Sequence, residues 1–356
     1  MSTIERLEEI DLNITSRCNI GCSHCLFAAG PEKDDNLSLG EIESVLEDGR
    51  KLGAEEVHIS GGEPTIRRDL EDVLRVADSN GYFVRLQTNM WAFTPEMLPL
   101  IAETTDEVLT SLDGLEASHD LIRKPGSFQR TTNSIDRLLD AGVRVVVITA
   151  VQRKNYQDIP KLVEFLSDKG VNAHFLFSVT PLGRATQEDV VSVTEWEKLV
   201  EKLYETYKAK DLSTDVVCEL HHLRGDESFT FNGAECRLYT RNHAIVLPDG
   251  RVYPCSMFVT TDKFLGNIRE ESFEEIWSNS PVWSFYDNRI NDPSCDNCKL
   301  IALCKGGCPG YSYLLTGDIA KHDPRCELGM YPVCPSWKLN LRKATLSCST
   351  WRVMKR

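Results

Sequence analysis

Between about residue 8 and residue 190 the chain repeats one pattern six times: a short run of β-branched and apolar residues, then a longer amphipathic stretch. The strand-like runs are Ile10–Thr15, Glu56–Ser60, Phe83–Gln87, Glu107–Ser111, Val143–Ala150 and His174–Phe177. Helix signals lie between them. Ser38 with Glu41 forms a capping box, Thr94-Pro95 sets an N-cap before a proline at the first helical position, and Gly81 marks a helix end. Strands that alternate with helices run parallel, because each helix carries the chain back across the sheet before the next strand begins. Six such units predict an α/β fold that closes as a partial (β/α)6, TIM-like barrel, with its chemistry on the loops at the C-terminal strand ends.

The 356 residues exceed the usual size of one compact domain, and the cysteines divide them. Ten of the 13 cysteines fall between Cys218 and Cys348, after a charged helical stretch at Thr194–Lys210. The shift predicts a barrel domain over residues 1–212 and a small cysteine-rich domain over 213–356. Acidic residues number 54 against 40 basic ones, and a net charge of −14 argues against a nucleic-acid partner. No basic start precedes an apolar run and no stretch of about eighteen apolar residues occurs, so the expectation is a cytoplasmic protein with no membrane partner. In such a chain closely spaced cysteines more often hold metal or carry out redox chemistry than form disulfides.

The first strand-like run leads into Cys18-Asn19-Ile20-Gly21-Cys22-Ser23-His24-Cys25, a CxxxCxxC spacing. Three thiolates leave one iron of a cubane [4Fe–4S] cluster open to a small molecule, although the spacing alone also suits a zinc knuckle. Further motifs fall at later strand ends: Gly61-Gly62-Glu63-Pro64, Thr88-Asn89, and Ser111-Leu112-Asp113-Gly114, with Arg123 a few residues on. Taken singly, each fits ordinary turn and capping chemistry. Together they resemble the radical S-adenosylmethionine (SAM) superfamily. The resemblance implies that Cys18, Cys22 and Cys25 hold a [4Fe–4S] cluster whose open iron takes the amino and carboxylate groups of SAM. It implies that Gly61, Gly62 and Glu63 contact the SAM amino group, and that Thr88, Asn89, Ser111, Asp113 and Arg123 contact its ribose or carboxylate. His24 is a shielding residue in that scheme and not a ligand. Leu26 stands where the family often has an aromatic residue near the adenine, so the resemblance does not carry the details of the adenine contact over to this chain, while the chemistry it implies is unaffected.

In the second region Cys236 is followed by Gly250 and Cys255, and Leu247–Tyr253 reads as a hairpin about a Pro-Asp-Gly turn. Cys295-x2-Cys298-x5-Cys304-x3-Cys308 comes next, and then Cys326. A zinc ribbon accounts for one CxxC but not for this series beside the N-terminal motif. The series resembles the seven-cysteine SPASM domain, a C-terminal extension with two auxiliary iron–sulfur clusters. The resemblance implies one ligand set of Cys236, Cys255 and Cys308, and another of Cys295, Cys298, Cys304 and Cys326. The first set is one short; Cys218 is available for it, a buried free thiol being the other reading. Cys334 and Cys348 have no place in the pattern and are read as core thiols, an additional ligand or hydrogen-atom donors. Pro181-Leu182-Gly183-Arg184-Ala185, at the end of the last strand, reads equally as an anion-facing loop or as a plain turn with a solvated arginine.

The implied cofactors are three [4Fe–4S] clusters and SAM, and the implied chemistry is reductive cleavage of SAM to a 5′-deoxyadenosyl radical that abstracts hydrogen from substrate. A ferredoxin or flavodoxin supplies the electron, and must find a local basic patch on an acidic chain. Three outcomes stay open. Oxidative maturation of a ribosomal peptide or protein side chain leads, with a separate leader-binding protein because the first strand starts near residue 10. Oxidative decarboxylation of tetrapyrrole propionates, of the haem or haem d1 type, is the alternative, carried by a loose likeness in Cys25–Gly30, Tyr313 and Thr316-Gly317-Asp318. A radical epimerase using Cys334 or Cys348 as hydrogen donor is the third. A plain electron carrier leaves Gly61-Gly62-Glu63 unexplained.

Overall fold

The computed structural model describes residues 6–210, 212, 214–218, 236–288, 290–296, 301 and 306–326. Ten strands form one sheet: β1 (Glu9–Asn13), β2 (Glu56–Ser60), β3 (Phe83–Thr88), β4 (Glu107–Ser111), β5 (Val145–Val151), β6 (Ala173–Ser178), β7 (Asp215–Cys218), β8 (His243–Val246), β9 (Arg251–Tyr253) and β10 (Gly266–Asn267). Their spatial order is β10-β9-β8-β1-β2-β3-β4-β5-β6-β7, and every pairing from β8 to β7 is parallel. Helices α1 (Leu39–Leu52), α2 (Leu70–Ser79), α3 (Leu98–Thr104), α4 (Glu116–Ile122), α5 (Ser127–Asp140), α6 (Ile159–Lys169) and α7 (Val193–Ala209) occupy the connections. The predicted capping box at Ser38 and Glu41 is present, whereas Thr94 makes no capping bond and a single 3-10 turn precedes α3.

The sheet register explains which residues make the core. Ile10, Val57, Val84, Val108 and Val145 share one face and pack with Ile42, Val45 and Leu46 of α1 and Val73 and Leu74 of α2. Burying such side chains stabilises the fold by roughly 1.5–3 kcal/mol each. The opposite face, inside the partial barrel, begins at the N-terminal strand ends with charge: Glu9, Glu56, Arg85 and Glu107. Arg85 is 1 % exposed and reaches Glu56 at 2.7 Å and Glu107 at 3.2 Å, while Arg237 meets Glu9 and Arg144 meets Glu107. This ionic layer floors the barrel. The polar strand ends above it, at the C-terminal side, are left for the site.

The structure adds two parallel strands to the six expected. β7 extends the sheet beyond β6, and β8 pairs with β1 on the other side, so the sheet continues across the compositional break at residue 212. The β8–β9 hairpin forms as predicted, with Gly250 at φ +88°, where a side chain would be strained. Beyond it, Phe258, Trp277, Trp283, Phe285, Tyr286 and Tyr313 pack edge to face or tilted, at centroid separations of 5.0–6.1 Å. Among the described residues no helix is long and apolar enough to cross a membrane.

Candidate cluster and cofactor site

The loop after β1 brings Cys18, Cys22 and Cys25 together as free thiols, the first two buried. Burial and the neighbouring Glu63, Cys22 and Cys25 charges push the Cys18 thiol up to about 12, and burial raises Cys22 despite Arg123 nearby. Buried thiols whose protons are held this firmly, with a third cysteine beside them, are a site that gains most from a bound cation, which replaces the protons. Hydrogen-bond donors already face the sulfurs: Asn89 Nδ2 lies 3.6 Å from Cys18 Sγ and an Arg123 guanidinium nitrogen 3.8 Å from Cys22 Sγ. The residues present therefore fit an iron–sulfur cluster.

The backbone of the loop is gripped from both sides. Gly62 N donates to Thr15 O at 2.6 Å and Glu63 N to Arg17 O at 2.9 Å. A Cβ on Gly61 or Gly62 would run into the carbonyls of Thr15 and Arg17, so only glycine admits this approach. From the far side of the barrel, Arg184 donates to Cys22 O and Ala29 O at 2.8 Å each, and its own N–H to Cys25 O at 3.0 Å. Gly183, at φ +64°, lies against the carbonyls of Cys25 and Leu26. Half-buried, Arg184 holds the cysteine loop through these carbonyls; its position at a strand end was the available signal, and its partners 155 or more residues away were not.

Glu63 is fully buried. Its carboxylate accepts from Thr65 N and Oγ1, from Thr88 Oγ1 at 2.7 Å and from Asn89 N at 2.7 Å. Burial raises its pKa, with these hydrogen bonds acting in the other direction. Thr88 and Asn89 are thus tied to the glycine turn, and Asn89 carries the tie on to Cys18. Asp113, also fully buried, accepts from Arg123 Nε at 2.5 Å and from Ala150 N at 3.0 Å. Burial opposes its ionisation, yet Arg123, His24 and His119 hold Asp113 at about 2. Its N–H donates to His119 Nδ1, which fixes the imidazole proton on Nε2, and burial lowers His119 to about 4. His24, lowered chiefly by burial, sits beside Gln152 and 3.8 Å from Asp113 without joining the cysteines as a donor. Ser111 is buried at the end of β4, and no hydrogen bond of its side chain is among those described.

Cys236, Cys255 and Cys308 also converge. Burial and the charges of Cys308 and Cys236 push Cys255 above the usual thiol range, and burial pushes Cys308 to about 12. Asp323 Oδ2 accepts from Cys308 N at 3.1 Å and pairs with Arg325 at 2.6 Å, whose guanidinium lies 3.7 Å from the Tyr311 ring centroid. Tyr311 OH in turn meets Thr180 Oγ1 at 3.0 Å, linking this group to the loop after β6. Cys295 lies on a turn whose Asp292 holds His322 at 2.8 Å, four residues before Cys326. Cys298, Cys304, Cys334, Cys348 and the side chain of Cys218 lie outside the described residues.

This constellation is that of a radical SAM enzyme with an iron–sulfur C-terminal extension. Residues 12–166 match the radical SAM superfamily model and residues 236–299 the SPASM iron–sulfur cluster-binding domain model. The chain belongs to the radical SAM superfamily and carries a C-terminal SPASM domain, so its cofactors are [4Fe–4S] clusters and SAM. It is similar to the AdoMet-dependent heme synthase of Methanosarcina barkeri, 29 % identical over 88 % of this chain and 94 % of that protein. It is similar as well to the mycofactocin maturase MftC of Mycolicibacterium smegmatis, 28 % identical over 89 % of this chain and 81 % of that one. In fold it matches Streptococcus suis SuiB bound to its precursor peptide SuiA, with a TM-score of 0.78 at 17 % identity, covering 90 % of this chain and 75 % of that one.

Proposed function

We propose that this radical SAM enzyme oxidatively matures a peptide or protein side chain. When bound, the cluster and SAM supply the radical that abstracts hydrogen from substrate. The protein's part is to hold and orient. Cys18, Cys22 and Cys25 would hold the cluster; Gly61, Gly62 and Glu63 would meet the SAM amino group, and Thr88, Asn89, Ser111, Asp113 and Arg123, held in place by the bonds described above, would meet its ribose and carboxylate. The observation that carries the oxidative reading is the second thiol group, tied through Tyr311 and Thr180 to the barrel mouth, where it supports a cluster able to receive the electron left after hydrogen abstraction. Cys236, Cys255 and Cys308 belong to that cluster with Cys218 as fourth ligand; Cys295, Cys298, Cys304 and Cys326 hold a third. The mycofactocin maturase relative supports a peptide substrate; a separate leader-binding protein presents it. The electron comes from a ferredoxin or flavodoxin, and a cytoplasmic setting suits it.

A second reading, decarboxylation of tetrapyrrole propionates, is favoured by two observations. The heme synthase relative is matched over 94 % of its length, and Phe175 and Phe177 stack at the C-terminal end of β6, 6.1 Å apart and 10° from parallel, with Phe177 39 % exposed. One experiment separates the two: enzyme, reductant and SAM are incubated with a peptide encoded beside the gene or with an iron porphyrin bearing propionates. A peptide lighter by about 2 mass units supports the first reading; loss of about 46 per propionate overturns it in favour of the second.

A further inference from the structure

Trp91 packs against the cysteine loop in the small apolar group formed by Cys18, Ile20, Cys22 and Ala29. Two cations share its indole: Lys124 Nζ lies 4.0 Å and the Arg130 guanidinium 4.3 Å from the ring centroid, and Arg130 also donates to Trp91 O at 3.1 Å. Neither makes an ion pair among the described residues. Of the other cations beside the cysteines, Arg123 is engaged by Asp113 and Arg184 by loop carbonyls. Asp120, the acid nearest in sequence to Lys124, turns its carboxylate to Gly126 N, Phe128 N and Ser127 Oγ at the start of α5. The acidic run Glu32–Asp35 lies farther along the cysteine loop, where Asp35 acts on Arg251. Leu121, three residues before Lys124, is 72 % exposed, and Ser23 N donates to Ile122 O, which ties this corner to the cysteine loop.

We infer that Leu121, Trp91, Lys124 and Arg130 form the docking surface for an acidic electron-carrier protein, a step that rests on the radical SAM reading of the adjoining thiols. Charge selects the occupant. On a chain of net charge −14 an acidic partner is repelled over much of the surface, and an uncompensated basic pair around an aromatic side chain, with an exposed leucine three residues before Lys124, is where such a partner meets attraction and an apolar contact together. The surface also adjoins the backbone of the cluster loop, so the donor's redox centre and the cluster are brought close at the point of contact.

The test uses the reconstituted full chain and flavodoxin reduced to its hydroquinone. For the variant Lys124→Glu/Arg130→Glu, the Kd for flavodoxin by titration at low salt should rise at least tenfold and lose most of its salt dependence, and flavodoxin-driven cluster reduction should slow in step. Deoxyadenosine formation driven by dithionite should stay within twofold of wild type. Lys198→Glu/Lys202→Glu, on the exposed face of α7, should leave both unchanged. Wild-type affinity in the first variant, or equal weakening in the α7 variant, overturns the docking surface. A selective loss of substrate-peptide binding instead assigns the patch to the substrate and overturns it too. Should the charge reversal lose iron, Lys124→Gln/Arg130→Gln decides, with at least a threefold weaker Kd expected and no change overturning the proposal. A wild type that binds flavodoxin at this surface but makes no deoxyadenosine with dithionite would strike the radical SAM reading alone.

Discussion

Cys18, Cys22 and Cys25 come from eight consecutive residues, whereas Cys236, Cys255 and Cys308 are drawn from three segments spread along the SPASM region. The first group is written locally, but a loop of that kind has no geometry of its own. It takes its shape from backbone partners supplied by other strand ends: Gly62 and Glu63 after β2, and Gly183 and Arg184 after β6. The second group needs the fold before it exists at all. Its segments are held by the packing of Phe258, Tyr286 and Tyr313 and by one buried ion pair, Asp323 with Arg325. Donors and a basic rim surround the first group; aromatic rings surround the second. On the function proposed above, the difference is that between a centre that receives electrons from outside the molecule and one that receives them from within.

The largest expected effect breaks the comparison if the two groups are interchangeable. Replacing Cys18, Cys22 and Cys25 by alanine together should remove about four irons per chain and abolish deoxyadenosine formation with dithionite and SAM. Replacing Cys236, Cys255 and Cys308 together should also remove about four irons, yet leave deoxyadenosine formation measurable while product formation stops. Iron analysis and chromatography of the nucleoside read both. Deoxyadenosine made by the first variant would remove the barrel site from the chemistry.

What the sequence made legible follows the same division. Six strands were readable because each is a run of β-branched residues with a helix signal after it. β7 was not, nor was the parallel pairing of β8 with β1; each of these strands spans four residues and joins the parallel sheet only because β6 or β1 offers an edge to pair with. Cysteine spacing and the glycine turn could be read by position, since local geometry demands those residue types. The fourfold hydrogen bonding of Glu63 and the grip of Arg184 could not, because their partners are assembled by sheet order. The ionic floor under the barrel was invisible for the same reason: Glu9, Glu56, Arg85 and Glu107 look like ordinary strand ends until the register aligns them.

A medium effect sharpens the contrast. Glu63→Ala strips a buried tie from Thr65, Thr88 and Asn89 without stranding a charge, so the iron of the barrel should remain while deoxyadenosine formation falls roughly tenfold to a hundredfold. Asp323→Ala leaves Arg325 buried without its partner, a cost of about 3–5 kcal/mol, and should release iron from the SPASM region while barrel cleavage of SAM continues. Iron loss from both regions in either variant would mean the two sites are one cooperative unit, and the comparison drawn above would fail.

The smallest effect concerns the barrel alone and should be absent from the SPASM region. His174 is fully buried on β6; Thr149 Oγ1 donates to Leu112 O and therefore accepts from His174 Nε2, 2.7 Å away, leaving Nδ1 buried without a partner among the described residues. Burial lowers its pKa to about 3. The unfolded chain takes up a proton there below about pH 6.5 while the folded one refuses it, so stability is full above that pH and is lost as pH falls toward 3. Between pH 8 and pH 5.5 this one histidine should cost about 1.4 kcal/mol. His174→Gln keeps a donor toward Thr149 but cannot titrate, so urea unfolding followed by far-ultraviolet circular dichroism should show the acid-side loss reduced by that amount. His119, lowered to about 4, would still contribute its own share, and a variant with the full wild-type pH dependence would mean that His174 is already protonated in the folded barrel.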